Sequence, residues 1–567
     1  MIVSNRMDTQ RLILILIFSF SLLMLWEAWQ KENRPQLPAP AAQAPLAVPA
    51  PGKPAATPGV APVPGPAPGA QVVPGPVAPA KSERIQVRTD LLAAEIDTLG
   101  GTIKRLELLR HRASEDQTKN LALLGDAHRY EAQSGLAGEL GANHRIMWTE
   151  QPGERVLQTG REMLELRLTA QASGLAVTKI YTFHRNSYVI DVAFEVKNDT
   201  TAPVAPFAYF QLTHDGQQDK HSSSLADTFG AQSFFGFAVY TEQKKFQKIA
   251  LSDIDKGKPD FVRQAKDGWI GFIQHYFVAA WTPVAPQDRE YALERRADPA
   301  APEKMYYVGR VLVPMAAIPP GATSRVTVPL YAGPQEQRRL IAAAPGLDYA
   351  VDYGFLSIIA WPLFWVLEQF HALSGNWGVA IILLTVLIKL VFFPLSAASY
   401  KSMAKMKLIT PRLTKLREMY AHDRNKMNQA MMELYKTEKI NPLGGCFPIL
   451  VQIPVFIALY WVLLAAIELR HAPFVLWIKD LSALDPYYVL PILMTVTMVL
   501  QTKMNPVPPD PVQAQVMKFM PYVFSIFFFF FPAGLVLYWL VNNILSILQQ
   551  WQIQRMFDRD KPAHGKR

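Results

Sequence analysis

Cysteine is almost missing from this 567-residue chain: Cys446 is the only one. No internal disulfide and no cysteine-cluster metal site can form, so an exported part must stand on its core alone. The chain also has no G-x-x-x-x-G-K phosphate loop and no H-E-x-x-H pair, which removes the simplest ATPase and zinc-protease readings. No basic-aromatic module of the kind that binds nucleic acid is present, and nothing calls for a metal or another cofactor. Carboxylates are missing from one further place. The apolar runs 377–395, 446–467, 487–501 and 519–548 contain no Asp or Glu. An ion-coupled transporter would ordinarily place acids or paired discontinuous helices there, so a transporter or channel stands only as the alternative class.

What is present divides unevenly. Residues 84–340 carry 31 basic and 30 acidic side chains, whereas residues 341–567 carry 20 and 13. Most of the net charge of +10 therefore belongs to the apolar half, as expected for cytoplasmic loops and contact with anionic lipid.

Arg6 and Arg11 precede the apolar run 12–26, which reads as a signal peptide or as a retained anchor over 1–30. Trp26 and Trp29 suit an outer interface, and the small residues Ala42 and Ala44 lie well downstream, which favours the anchor. Residues 35–80 hold 15 prolines, five glycines and one charge, Lys53, so 31–83 is expected to be an extended spacer. From 84 to 340 the apolar pattern has period two. A Gly100-Gly101 turn separates two strand-like runs, and 175–183 and 188–196 form a hairpin turned at Arg185, Asn186 and Ser187. Further strands over 269–281 and 325–331 complete the reading of a large all-β sandwich. Phe234, Phe235, Phe237 and Tyr240 suit an inward core more than a ligand groove. His184 and His275, without a placed carboxylate, are weak candidates for acid-base chemistry. The segment 341–375 is apolar but interrupted; the apolar core between Asp352 and Glu368, which contains Pro362, reaches only about 20 Å, which fits an interfacial helix better than a tilted span.

The stretch 376–467 organises the rest. Its first span, 377–395, is 19 residues and about 28 Å long as a helix, the thickness of a bilayer core. Lys389 lies inside it, and a cation there needs water or a partner. Thr385, Gln452 and Asn542 are available to keep a pocket around it wet. Ser396 and Lys401, the nearest nucleophile and base, stand at the end of the span, so no catalytic residue is assigned.

The following loop, 396–445, has ten Lys or Arg against four Asp or Glu, which places it in the cytoplasm. Thr410 and Pro411 predict a helix start, His422 to Asn425 a polar turn, and Met427, Met431, Leu434 and Tyr435 the apolar face of a second helix. Among six methionines of this helical hairpin, Met419, Met427 and Met431 are candidates for receiving apolar substrate segments, with packing between the helices as the competing role. Phe531, Pro532, Ala533 and Gly534 divide the 30-residue run 519–548. The basic tail 556–567 marks a cytoplasmic C-terminus, and an even count of crossings then makes the divided run two helices, for six in all.

Several of these residues form a signature: Lys389 five before Pro394, the basic hairpin, Asn441-Pro442-Leu443-Gly444-Gly445-Cys446-Phe447-Pro448, Gln452-Ile453-Pro454, and Phe531-Pro532-Ala533-Gly534. Over residues 345–555 the chain resembles the YidC family of bacterial membrane protein insertases. That resemblance implies a polytopic α-helical protein with a five-helix insertase core over 376–555 and a mutarotase-like β-sandwich in the periplasm. It also implies nascent membrane proteins, the Sec translocon, the ribosome and membrane lipids as partners, in the inner membrane. In the family the groove cation is usually arginine, and lysine lacks the rigid five-donor fork. Tyr538-Trp539 stands where the family often has two tyrosines, so the implied substrate contact is carried over to Tyr538.

Overall fold

The computed structural model describes residues 82–114, 116–138, 141–218, 234–299, 301–420, 423–438, 447–505 and 511–559. The expected anchor over 1–30, the proline-rich spacer up to residue 81, His422, the signature residues 441–446 and the tail from 560 lie outside them. The chain divides into two units, Gly69–Val507 with Phe519–Arg567, and Met1–Pro68 with Pro508–Lys518. Of the latter, the description covers only the opening of one helix.

The period-two region folds as two antiparallel nine-stranded sheets, as the alternation requires. One runs Arg84–Arg88, Leu92–Asp97, Thr102–Arg112, Glu131–Leu136, Phe207–His214, Ala301–Pro314, Arg289–Asp298 and Gln264–Ala265, with Asn120–Leu124 beside Thr102–Arg112. The other runs Lys245–Ala250, Gly236–Thr241, Trp269–Ile273, Phe277–Trp281, Thr323–Pro334, Val189–Asn198, Leu175–His184, Met163–Ala172 and Thr149–Glu150. Both expected turns are present. Gly100 has φ 79°, and a Cβ there would meet the His144 backbone, so only glycine fits. Asn186 takes φ 52°, which asparagine tolerates. Phe237 and Tyr240 are buried core, and Phe234 and Phe235 pack against it. One tie between the sheets was invisible to periodicity: Lys179 is fully buried, and its Nζ donates to the carbonyls of Gly100, Gly101 and Ser134. Burial holds that ammonium well below the ordinary lysine range.

After the sandwich come α1 (Ser357–Ser374), α2 (Trp377–Val391), α3 (Phe393–Met419), α4 (Arg424–Thr437), α5 (Phe447–Ala465), α6 (Val489–Met504), α7 (Pro511–Phe528) and α8 (Ala533–Arg559). α1 buries Ala360, Phe364 and Leu367 and exposes Ile358, Trp365 and Leu373. The run 519–548 is indeed two helices. No single helix among the described residues is long and apolar enough to cross a membrane; α2 and α3 together are, across a 65° bend.

Two expectations are corrected. The span 377–395 is not one helix: α2 stops at Val391, and α3 begins at Phe393 with Pro394 in its first turn. Proline has no N–H to continue α2 and is well tolerated at a helix start. Conversely, Thr410 and Pro411 do not begin a helix, because Pro411 lies inside α3. An interior proline costs about 3 kcal/mol. It is offset there by continuous packing of Ile409 and Leu413 against Met431, Leu434 and Tyr435 of α4.

Candidate functional site

Asn376 caps α2 by accepting from the Val379 amide at 3.1 Å, and the buried stripe Ile381, Leu384, Thr385, Ile388 and Lys389 follows at helical spacing. α2, α3 and α6 pack against α8, which therefore meets the cation. Lys389 is 6% exposed, and its Nζ donates to Ser546 Oγ of α8 at 2.6 Å. A buried hydroxyl is thus one partner of this cation. Ser546 in turn donates to the Asn542 carbonyl at 2.7 Å, and Tyr400 of α3 also hydrogen-bonds Ser546. On the other side of Asn542, its Oδ1 accepts from Gln452 Nε2 of α5 at 3.0 Å. The buried Tyr538 hydroxyl hydrogen-bonds Gln452.

Lys389, Gln452, Asn542 and Tyr538 thus belong to one connected polar cluster. Thr385 does not join it, since its hydroxyl donates to the Ile381 carbonyl of its own helix at 2.7 Å. Tyr538 and Trp539 differ in use: Tyr538 reaches Gln452, whereas Trp539 sits edge-on to Phe456 and Phe528. Sequence reasoning missed Ser546 and Tyr400. A signal for Ser546 was available, because Tyr538, Asn542, Ser546 and Gln550 recur every four residues on α8 and so share a face.

Asp423 caps α4 by accepting from the amides of Asn425 and Lys426, and Arg412 pairs with Glu438 at 2.7 Å, so α3 and α4 form the expected antiparallel hairpin. Its methionines divide. Met431 packs on Ile409 and Leu413, Met427 is half-buried, and Met419 is 69% exposed.

At the other end of the bundle, the loop after α5 holds the later helices in place. Ala533 and Gly534 amides donate to the carbonyls of Ala483 and Leu481, which satisfies the start of α8. The buried Asp485 accepts from Trp477 Nε1 and from the Tyr487 and Leu490 amides, which seats α6. His184 bonds Asp191 at 2.8 Å across its hairpin, and His275 Nε2 meets the Leu464 carbonyl at 3.0 Å, so both have contacts suited to holding structure.

A helical bundle with a polar, cationic centre, following a large all-β sandwich, defines a class of two-part proteins. Residues 84–366 match the family model described as YidC periplasmic domain, and residues 369–561 the one described as 60Kd inner membrane protein. The membrane protein insertase YidC of Aromatoleum aromaticum is 52% identical over 98% of this chain and 99% of its own. That of Nitrosospira multiformis is 52% identical over 97% and 98%. A solved active YidC insertase covers 83% of this chain and 93% of its own at 17% identity, with a TM-score of 0.36. The chain belongs to the YidC family of membrane protein insertases. It is an inner membrane protein with a periplasmic domain, and an insertase rather than an enzyme.

Proposed function

We propose that the Lys389, Gln452, Asn542 and Tyr538 cluster is a hydrophilic groove, open to the cytoplasm, that receives the polar tail of a nascent membrane protein and releases its apolar segment sideways into lipid. The observation that carries this reading is the buried Lys389 ammonium, bonded to a hydroxyl among apolar helices. A cation there is costly unless it serves a polar pathway. The short apolar helix α6, 16 residues long, favours a locally thinned bilayer, which shortens that pathway without a nucleotide. Thr385 stands one turn before Lys389 on the same buried face of α2, with its hydroxyl bonded to its own helix.

In the same reading six helices cross the membrane, with both termini cytoplasmic and α1 lying on the outer surface. The exposed Met419 and half-buried Met427 greet apolar substrate segments, and Met431 supports them from the hairpin interior. Insertion proceeds alone or with the Sec translocon, on chains arriving from the ribosome, in contact with membrane lipids and with no specific nucleic acid.

The deciding experiment compares substrates with acidic and neutral translocated tails in vesicles containing the full-length protein. Lys389→Arg keeps insertion of both, and Lys389→Glu slows the acidic-tailed substrate about tenfold more than the neutral one, equivalent to about 1.4 kcal/mol. Equal insertion of both by Lys389→Glu overturns the groove. Uptake of a labelled solute by the same vesicles favours the transporter class.

A further inference from the structure

We infer that Ser546 is the positioning residue of the cationic centre, fixing the Lys389 ammonium at one point so that its remaining N–H bonds face an arriving carboxylate. The inference rests on the groove reading above and names what makes the groove selective for charge.

A serine hydroxyl has one proton to give and two lone pairs to receive with. The proton goes to the Asn542 carbonyl, one turn earlier on α8, at 2.7 Å. This leaves the lone pairs facing outward from α8, where Lys389 Nζ stands at 2.6 Å. Ser546 therefore joins α2 to α8, with its own proton committed to α8 and its oxygen to the ammonium. A hydroxyl so engaged cannot rotate to offer its proton to the ammonium, so it acts there only as an acceptor.

Lysine needs such a fixed point more than arginine does. Its charge sits at the tip of four flexible methylenes, whereas a guanidinium is a rigid planar fork. One of the three ammonium donors is held by Ser546, and among the described residues the other two have no protein acceptor. They are available to a carboxylate oxygen or to water. The same Asn542 whose carbonyl orients Ser546 uses its side chain to receive Gln452, so the cation and the neutral amides are held at a set spacing along one face of α8. The chemistry this arrangement recognises is an acidic, extended peptide tail, with the ammonium taking a carboxylate and the amides the backbone beside it.

The test uses full-length protein in vesicles and reads the ratio of insertion rates for acidic-tailed and neutral-tailed versions of one single-span substrate, normalised to the amount of protein. Threonine keeps the hydroxyl and valine matches its shape without it. Ser546→Thr is expected to hold the wild-type ratio and Ser546→Val to lower it about tenfold, the scale of losing a hydrogen bond to a charged group. Ser546→Val and Ser546→Thr giving the same ratio overturns the positioning role. Lys389→Gln separates the two levels. If it collapses the ratio while Ser546→Val does not, only the role of Ser546 is wrong; if it also leaves the ratio unchanged, the groove reading itself fails.

Discussion

His275 of the β-sandwich meets the Leu464 carbonyl at 3.0 Å, on the same helix that carries Gln452 twelve residues earlier. Those twelve residues span about 18 Å of α5 and link the periplasmic domain to the polar cluster. Nearby, Arg470 donates to the Arg112 carbonyl at 2.6 Å and to Ser114 Oγ at 3.0 Å, and Lys248 pairs with Asp352. Removing His275 or Arg470 by alanine substitution is expected to lower the melting temperature of the detergent-solubilised protein by about 2–4 °C each, the effect of about one hydrogen bond. Limited proteolysis should then cut earlier within 466–488. Unchanged melting and cutting in the double variant would show that this seam contributes nothing.

The topology is testable by thiol labelling after Cys446 is replaced. A cysteine at Phe530, which is 38% exposed in the break between α7 and α8, should react from the periplasm, and one at Ala563 from the cytoplasm. Ala533 is a poor site for this, since it is fully buried with its amide bonded to Ala483. Labelling of both positions from one side contradicts six crossings.

In the hairpin, burial predicts which methionines serve packing. Met431→Ser cuts into the cluster with Ile409 and Leu413 and should destabilise α3 and α4 by about 1–3 kcal/mol, lowering the amount of protein. Met419→Ser touches an exposed side chain and should lower insertion while abundance holds. The opposite pattern would assign substrate reception to Met431.

A pH dependence follows from Glu468, just beyond α5. Burial, reinforced by Glu336 and Glu368, pushes its carboxyl up to about 8. Those two acids are themselves paired, with Arg339 and Arg338 respectively. Because the folded value lies above the unfolded one of about 4.3, the folded state binds the extra proton between the two. Stability from this group is therefore complete below about pH 4.3, falls as pH rises, and levels off above about pH 8. Glu468→Gln should match wild type in melting temperature at the acid end of that window and exceed it by about 2–4 °C at the alkaline end. A difference independent of pH refutes the assignment.

The sandwich, its two tight turns, the division at Phe531 to Gly534 and the cation at Lys389 were legible in the sequence, because alternation, turn chemistry and an ionisable residue in an apolar run are local properties. The same kind of reading failed at Pro394 and Pro411. Each proline carries the same local penalty, but one ends a helix and the other is absorbed by the packing of Ile409 and Leu413 on α4. Partners were the other gap: Lys389 and Ser546 are 157 residues apart, and His275 and Leu464 are 189 apart. Spacing along the chain says which side chains share a face, as Tyr538, Asn542 and Ser546 do, but not which face of another helix will meet them. That was decided only by tertiary packing, since a buried donor is satisfied by whatever acceptor the close approach of two helices brings within hydrogen-bond reach.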